Sequence, residues 1–408
     1  MSTNPLLDAL RANDKTGYLF ESNSTFVAYK TGFPVMDYAM GFVVNVFGND
    51  GTVQDTYKAI GITTGSIVTI VGKTHVGKTT MAIQMAANIV RPFAAGSVLH
   101  YDLEGGTNMT RISTLSKFSA SELQNKYILR QSGASMDEIK MSIAKIYYEK
   151  INNPDKYEYE TGKVDEFNRP IKAFIPTCII IDSVPSLSNF INDNTKDGQK
   201  SREEISTQTD KMRTTAEVCR FLSESMQMMK AANIIMFLIN HIKTKPSMGV
   251  PQAPELRGMK QDETMPAGKA LQYYSNTMIR LTSIGSEKYT DEEHGFNGFG
   301  VSVFFIKNRS NADGVTVPMV FDKGRGYDSV LSSVMLAKEI GALGGNRNAY
   351  YFINAKDKKF KFATTREEFA MDREMYRIMY DHLTPYLEKS LSAYKPEELY
   401  VCQEEMDY

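Results

Sequence analysis

The chain has 408 residues, 42% of them hydrophobic and 23% charged, a composition that allows a large buried core and argues against wholesale disorder. Its formal net charge of −1 gives no sign of a nucleic-acid partner, so any such site has to be local. The three cysteines, Cys178, Cys219 and Cys402, are too few and too scattered for a disulfide framework or a zinc cluster, and they fit a reducing compartment.

The first residues predict a short helical extension. Residues 4–13 have the spacing of an amphipathic helix, and we assign residues 1–30 to an N-terminal extension that serves assembly. No basic stretch followed by an apolar run is present there, and no apolar run approaches the roughly 20 residues of a spanning helix. We therefore expect a cytoplasmic protein without a membrane partner. Residues 42–62 mix glycine and polar residues with apolar ones and predict an irregular insertion.

A regular alternation of apolar strands and helices begins near Ser66. Strands are predicted at 66–71, 97–103, 177–181 and 234–239. A buried helix is predicted over 79–90, and a long helix with a methionine stripe, which we interpret as core packing, over about 205–231. Near-continuous apolar strands separated by helices indicate an α/β fold with a mainly parallel sheet covered by helices on both faces.

The last part of the chain predicts further strands of the core and, after them, a small α+β domain. Residues 295–330 alternate in the manner of strands and turns. We then expect a small C-terminal domain over 331–390, mostly helical with a hairpin near 350–362, and an acidic tail over 391–408.

A phosphate-binding loop follows the first apolar strand. It fits the pattern GxxxxGK[ST] between a strand and a helix, and its candidate nucleotide-binding residues are Gly72, Lys73, Thr74, His75, Val76, Gly77, Lys78, Thr79 and Thr80. Glycines let backbone N–H groups surround phosphate oxygens, and the helix N-terminus adds unpaired donors. Lys78 is expected to reach the β- and γ-phosphates of ATP, and the Thr79 hydroxyl to bind Mg²⁺.

Two further strand ends supply carboxylates. Asp182 follows the strand at 177–181 in the position of a Walker B aspartate, which holds the hydration shell of the metal. Glu104 and Asp102 both end the strand at 97–103 and share a face. We choose Glu104 as the residue that polarises the attacking water, because it lies nearer the carboxyl end and has the longer side chain. Asp102 is the competing candidate.

These motifs, in this order, resemble the RecA recombinase family over roughly residues 30–345. The likeness includes Asp182-Ser183, the strand end Asn240-His241, the segment MPAGKALQYYSNTMIRL at 265–281 and the triplet Lys307-Asn308-Arg309. His241, where bacterial RecA has glutamine, is more similar to the recombinases of large tailed bacteriophages (UvsX-like). The resemblance implies a RecA-like P-loop NTPase core over 31–330, and an infected bacterial cell as the location.

The resemblance also implies roles for residues outside the phosphate-binding loop. Asn240 and His241 would sense the γ-phosphate, and Lys307 and Arg309 would act on the ATP of the neighbouring subunit, as arginine fingers do. The adenine-contacting positions fall on Asn108 and Arg111, where bacterial RecA usually has an aspartate and a tyrosine. Arg111 could still stack on a purine through its flat guanidinium group.

Two irregular loops match the DNA-binding loops of the family by position, near 189–202 and 242–267. Each has a net charge of only +1, so charge alone does not identify them. Met248 and Val250 are the candidates for wedging between bases. The remaining DNA-binding candidates are Lys196, Lys200, Arg202, Lys243, Lys245, Arg257 and Lys260.

The sequence therefore predicts a DNA-dependent ATPase that forms helical filaments on single-stranded DNA and promotes homologous pairing and strand exchange with duplex DNA. Its expected partners include single-strand-binding and mediator proteins. A hexameric helicase with the same core is the first alternative, disfavoured because only about 30 residues precede the core. A non-hydrolysing ATP-switch mediator is the second, disfavoured because Glu104, Lys307 and Arg309 are all present.

Overall fold

A computed structural model describes residues 27–48, 52–131, 134–165, 168–191, 208–244, 254, 256–291 and 296–391. The predicted helix at 4–13 and the tail beyond Leu391 lie outside these residues. The same is true of six DNA-binding candidates: Lys196, Lys200, Arg202, Lys245, Met248 and Val250.

The strands are β1 (Ala28–Tyr29), β2 (Phe42–Phe47), β3 (Val53–Ala59), β4 (Ile62–Thr63), β5 (Ile67–Gly72), β6 (Ser97–Asp102), β7 (Tyr127–Arg130), β8 (Glu158–Val164), β9 (Pro170–Phe174), β10 (Thr177–Asp182), β11 (Ile234–His241), β12 (Lys243–Thr244), β13 (Glu263–Thr264), β14 (Thr277–Asp291), β15 (Phe296–Asn308), β16 (Thr316–Asp322), β17 (Gly326–Asp328), β18 (Leu343–Asn346), β19 (Ala349–Phe352) and β20 (Ala355–Phe360).

The helices are α1 (Pro34–Ala39), α2 (Lys78–Val90), α3 (Met109–Ser116), α4 (Ala120–Lys126), α5 (Met136–Asn152), α6 (Pro154–Tyr157), α7 (Val184–Ile191), α8 (Gln208–Ala231), α9 (Gly268–Tyr274), α10 (Ser329–Glu339), α11 (Thr365–Met371) and α12 (Arg373–Lys389).

A nine-stranded sheet organises the described part of the chain, in the order β17-β16-β15-β14-β5-β11-β10-β6-β7. The run from β14 to β7 pairs in parallel. The strands β15, β16 and β17 extend it with antiparallel pairs at one edge. The prediction of an α/β protein with a mainly parallel sheet is confirmed.

Helices cover both faces of this sheet, which explains why its central strands are apolar throughout. On β10, Ile180 enters the core that contains α2, whereas Ile179 and Ile181 enter the core that contains α5 and α8. All six residues of β10 are buried, as are all six of β5. A strand buried on both faces cannot show the alternation of polar and apolar residues that a half-exposed strand shows.

The prediction of an irregular insertion at 42–62 was wrong, because β2 and β3 form an antiparallel hairpin there. Val44 and Val46 are buried, as alternation along a half-covered strand requires. Most residues of β3 are polar and exposed, so the strand carries no pattern of its own and is defined by pairing with β2. Lys58 holds the hairpin to Glu388 of α12, and Tyr57 Oη donates to the Val164 carbonyl at 2.8 Å.

The expected hairpin near 350–362 is confirmed as β19 and β20, and β18 completes a three-stranded antiparallel sheet. One face of this small sheet packs Phe352 and Phe360 against Phe369 of α11. These rings belong to the same apolar core as α2 and β16. The C-terminal elements are therefore packed on the sheet that carries the phosphate-binding loop.

Candidate nucleotide site

The candidate site lies where the carboxyl ends of neighbouring parallel strands meet. In the sheet register Asp182 stands beside Asp102 on β6 and beside Ile239 on β11. His241 at the end of β11 stands beside Gly72 at the end of β5. Ligands of open α/β sheets bind at this edge, so the fold brings the predicted motifs to the expected place.

The backbone of the phosphate-binding loop needs its two pattern glycines. Gly77 has φ +82°, and a Cβ there would lie 2.7 Å from the Phe321 ring. A Cβ on Gly72 would lie 2.8 Å from the Leu281 carbonyl oxygen. The α2 helix begins at Lys78, so its first N–H groups point toward the loop. The loop is therefore a cradle of backbone donors that a side chain at either glycine would disrupt.

Tyr327 of β17 supports the loop from a position 251 residues away in the chain. Its phenolic O–H donates to the Val76 carbonyl at 2.6 Å. Its own backbone is tied to Gln84 of α2 by hydrogen bonds of 2.8 and 3.0 Å. The sequence analysis missed Tyr327, because an aromatic residue in an alternating strand gives no sign of which distant loop it contacts.

The polar side chains of the loop differ in their exposure. Lys73, Thr74 and His75 are exposed at its tip. Lys78 is buried, and its Nζ donates to the Lys73 carbonyl at 2.8 Å. Burial lowers the pKa of Lys78 below its ordinary value, opposed by the negative charges of Asp182 and Glu104. The ammonium group thus lies within the loop, where a phosphate could replace the carbonyl as its partner.

Thr79 and Asp182 link the loop directly to the end of β10, the strand predicted to carry the Walker B aspartate. Thr79 Oγ1 donates to Asp182 Oδ2 at 2.6 Å. Burial raises the pKa of Asp182 to about 6, the Thr79 hydrogen bond opposes this shift, and the neighbouring Glu104 and Asp102 add to it. A carboxylate so destabilised gains most from a cation beside it.

This donor set suits Mg²⁺, which keeps several waters and takes few protein ligands besides substrate phosphates. Within the described ranges no group of three or more His, Cys, Asp and Glu side chains could hold a metal by itself. One hydroxyl and one carboxylate match what Mg²⁺ needs when a nucleotide supplies the other oxygens. Thr79 and Asp182 are therefore the residues that would hold it.

The two competing carboxylates lie in different places: Asp102 ends β6, whereas Glu104, expected at the end of the same strand, lies in the turn that follows it. Asp102 is buried and accepts hydrogen bonds from the N–H groups of Gly106 and Thr107 and from Gln131 Nε2, at 3.2, 2.8 and 3.1 Å. Glu104 has a side chain 41% exposed and faces the strand ends of β10 and β11. Asp102 holds the turn after β6, whereas Glu104 is open to solvent and to a substrate.

His241 and Ser183 both contact Glu104. His241 Nε2 lies 2.9 Å from Glu104 Oε1, and Ser183 Oγ donates to the same oxygen. Asn240, one residue earlier, is buried, and its Nδ2 donates to the Pro266 carbonyl at 2.7 Å. The predicted sensor pair thus joins the strand end to Glu104 on one side and to the segment before α9 on the other.

Asn108 and Arg111 lie at the start of α3, and each makes a contact within the protein. Asn108 caps the helix, because its Oδ1 accepts the Arg111 backbone N–H at 2.8 Å. The Arg111 guanidinium donates to the Lys323 carbonyl at 3.1 Å. The contact places Arg111 beside the turn between β16 and β17, two strands that also carry Phe321 and Tyr327.

Lys307 and Arg309 lie near the amino ends of the parallel strands, opposite the carboxyl ends that carry the phosphate-binding loop. Asn308 stands beside Thr277, which stands beside Val68 near the beginning of β5. Lys307 Nζ donates to the carbonyls of Gln272 and Tyr273, and Arg309 Nη2 donates to the latter at 2.8 Å. Both cations therefore bind the C-terminal end of α9, where the helix dipole favours positive charge. Burial, followed by the charge of Arg309, lowers the pKa of Lys307 to about 8.

Three candidates of the second loop predicted to bind DNA lie in the described residues. Lys243 is exposed on β12, which pairs with β13 and so joins the two ends of the loop. Lys260 is exposed, and its backbone N–H donates to Glu263. Arg257 pairs with Asp313 at 2.7 Å. The structure adds the buried ion pair of Arg280 with Glu263 at 2.8 Å, which anchors the end of the loop.

No family model matches the chain, and a search of curated proteins finds no match. In the part of the chain that the structure describes, no helix is both long enough and apolar enough to cross a membrane.

Proposed function

We propose that this protein binds and hydrolyses ATP, with Mg²⁺ held at Thr79 and Asp182. One observation carries the proposal: the Thr79 hydroxyl of a complete phosphate-binding loop is bonded to the strand-end carboxylate of Asp182, and Glu104 adjoins both Ser183 and His241. A glycine turn without a ligand would have no need of a buried Asp182 with a raised pKa at its base.

Each residue has a defined task in this proposal. Backbone N–H groups of 72–80 and the Lys78 ammonium bind phosphate oxygens and offset their charge. Bound Mg²⁺ would supply further positive charge against the phosphates. Glu104 accepts a proton from, or orients, the water that attacks the γ-phosphate. Asn240 and His241 connect that event to the loop after β11.

We further propose that the protein is a RecA-type recombinase that forms filaments on single-stranded DNA and promotes strand exchange with duplex DNA. The support is the motif order together with the position of Lys307 and Arg309. Asn308 lies at the same height in the sheet as Val68, through Thr277. The four residues from Val68 to Gly72 span about 13 Å along the strand, so Asn308 lies about that far from the height of Gly72. Because these cations lie at the end of the sheet away from the phosphate-binding loop of their own copy, they suit an ATP site that a neighbouring copy completes. No separate observation favours a ring helicase or a non-hydrolysing mediator.

The test combines hydrolysis with imaging. Phosphate release is measured for wild-type protein and Lys78→Ala, with and without single-stranded DNA and with Mg²⁺ removed by a chelator. We expect DNA-stimulated hydrolysis that both Lys78→Ala and the chelator abolish. Electron microscopy with single-stranded DNA and a slowly hydrolysed ATP analogue should show helical filaments. Closed rings would support the helicase instead, and DNA-bound protein without hydrolysis would support the mediator.

A further inference from the structure

The small sheet β18-β19-β20 has an exposed face that the proposed ATP site does not use. Residues 343–362 contain five cations and one acid, a net charge of +4 in a chain whose net charge is −1. The two loops predicted to bind DNA carry only +1 each. Residues 343–362 therefore carry a larger net positive charge than either loop predicted to bind DNA.

The pairing of the strands sorts these residues between two faces. Tyr350 stands opposite Phe360 and Phe352 opposite Ala355, with an irregularity between the two pairs. Because Tyr350, Phe352 and Phe360 are buried, their chain neighbours point outward. The outward residues are Tyr351, Ile353, Lys356, Lys359 and Lys361. The irregularity in β20 brings Lys356 onto the same face as Lys359.

The three outward lysines form a row along one strand. All three are exposed, and none has an ion pair among the described residues. Lys358, in contrast, points to the other side and pairs with Asp372 and Glu374. The strand rise sets the Cα spacing at about 7 Å from Lys359 to Lys361 and at most about 10 Å from Lys356 to Lys359, where the irregularity shortens the strand. A single row of ammonium groups without ion pairs can contact successive phosphates of one nucleic-acid strand.

Tyr351 adds an aromatic surface beside this row. It stands opposite Gly344 on β18, and a Cβ on that glycine would lie 2.6 Å from the ring. The ring therefore lies across the strand over the glycine backbone and is partly exposed. Ile353, 50% exposed, continues the apolar strip. An aromatic ring next to a row of cations is the arrangement on which unpaired bases stack.

We infer that the outer face of the β18-β19-β20 sheet binds single-stranded DNA, with Lys356, Lys359 and Lys361 on the phosphates and Tyr351 stacked on a base. A duplex has its bases covered and would make no use of the ring, which is why we choose the single strand. The inference rests on the proposed function for its choice of DNA as the partner.

The experiment uses the full chain and a short fluorescent oligo(dT), with a duplex of equal length as the second probe. Fluorescence anisotropy is recorded over a salt series for wild-type protein and for K356Q/K359Q/K361Q. The matched control is K145Q/K156Q/K172Q, which changes three exposed lysines elsewhere. Removing three phosphate contacts should reduce the log–log salt slope for oligo(dT) by about 2 and leave the control at the wild-type slope.

A second pair of variants tests the ring. Tyr351→Phe should bind oligo(dT) as the wild type does, whereas Tyr351→Leu should bind about 5- to 100-fold more weakly. Circular dichroism and thermal unfolding show whether each variant is folded. Should Tyr351→Leu fail to fold, the exposed lysine variants still decide the question.

Several outcomes overturn the inference. An unchanged salt slope in the triple variant does so, as does a loss confined to the duplex probe. Wild-type protein that hydrolyses ATP but does not bind oligo(dT) overturns the inference and leaves the ATP site standing. Wild-type protein that binds oligo(dT) through these lysines but does not hydrolyse ATP supports the inference and overturns the proposed function.

Discussion

The imidazole of His241 and the carboxylate of Glu104 lie 2.9 Å apart, and Ser183 donates to the same carboxylate oxygen. The proposed catalytic base is thus held by side chains at the ends of two different strands. Of these, His241 precedes the loop that starts at Ile242. A movement of that loop would therefore reach Glu104 through the single residue His241.

We expect Glu104→Gln to retain ATP binding but to lower kcat by about 10²- to 10⁴-fold, because the amide cannot accept the proton. Asp102→Asn should behave differently. It weakens the hydrogen bonds to the turn after β6 and should cost about 1–3 kcal/mol of unfolding free energy, with a smaller effect on kcat. Phosphate release, nucleotide binding and denaturant unfolding separate the two. If Asp102→Asn loses hydrolysis and Glu104→Gln keeps it, the assignment is reversed.

His241→Ala should disconnect nucleotide state from DNA affinity. The variant keeps the phosphate-binding loop and Glu104, so hydrolysis should persist, while its affinity for single-stranded DNA should no longer rise with ATP. Anisotropy with and without a slowly hydrolysed analogue measures this. His382→Ala is the control, because His382 contacts Asn354 in the C-terminal unit. A normal rise with ATP in His241→Ala would contradict the role of a switch.

A site shared between copies predicts complementation. Lys307→Ala/Arg309→Ala loses the cations but keeps an intact phosphate-binding loop, whereas Lys78→Ala loses the loop lysine but keeps the cations. Because each variant lacks one half of the shared site, each alone should lack DNA-stimulated hydrolysis. Mixed filaments contain sites with the loop of the first variant and the cations of the second, and activity should return in part. Since Lys307 and Arg309 also bind α9 carbonyls, thermal unfolding of each variant must be checked. Mixtures as inactive as their components would show that the cations act elsewhere.

The stability of the nucleotide-free protein should fall between about pH 4 and pH 7 because of Asp37. Burial raises its pKa from 3.8 to about 7, opposed by hydrogen bonds from Thr31. The folded state therefore holds the proton more tightly than the unfolded state, and unfolding free energy decreases as pH rises through this window, by at most about 4 kcal/mol.

Asp37→Asn should remove the share of this dependence that comes from Asp37, because the amide is neutral at every pH in the range and its oxygen can still accept from Thr31. The smaller share from Asp182, whose pKa is raised to about 6, should remain. Denaturant unfolding at several pH values is the measurement. Asp55→Asn, on the exposed strand β3, should leave the dependence as it is. An Asp37→Asn variant with the wild-type pH profile would assign the effect to another group.

Local pattern was enough to predict the buried strands and the glycine turn that joins β5 to α2. Runs such as CIII and IIMFLI are apolar at every position because their strands are covered on both faces. The glycine pattern of the loop follows from a tight turn between a strand and a helix, in which Gly77 has φ +82°. Both features depend on residues that are close together in the chain, so the sequence pattern alone predicts them. The hairpin β2–β3 was missed because its second strand is polar and is defined by its partner.

Only the tertiary structure decided which side chains meet. Alternation predicted that Asp102 and Glu104 share a face of one strand, but the strand ends at Asp102, and the N–H groups of Gly106 and Thr107 bind that carboxylate. Tyr327 supports the phosphate-binding loop from the far end of the chain, and the irregularity in β20 puts Lys356 and Lys359 on one face. Hydrogen bonds between distant residues and strand register depend on packing of the whole chain, which no local pattern records.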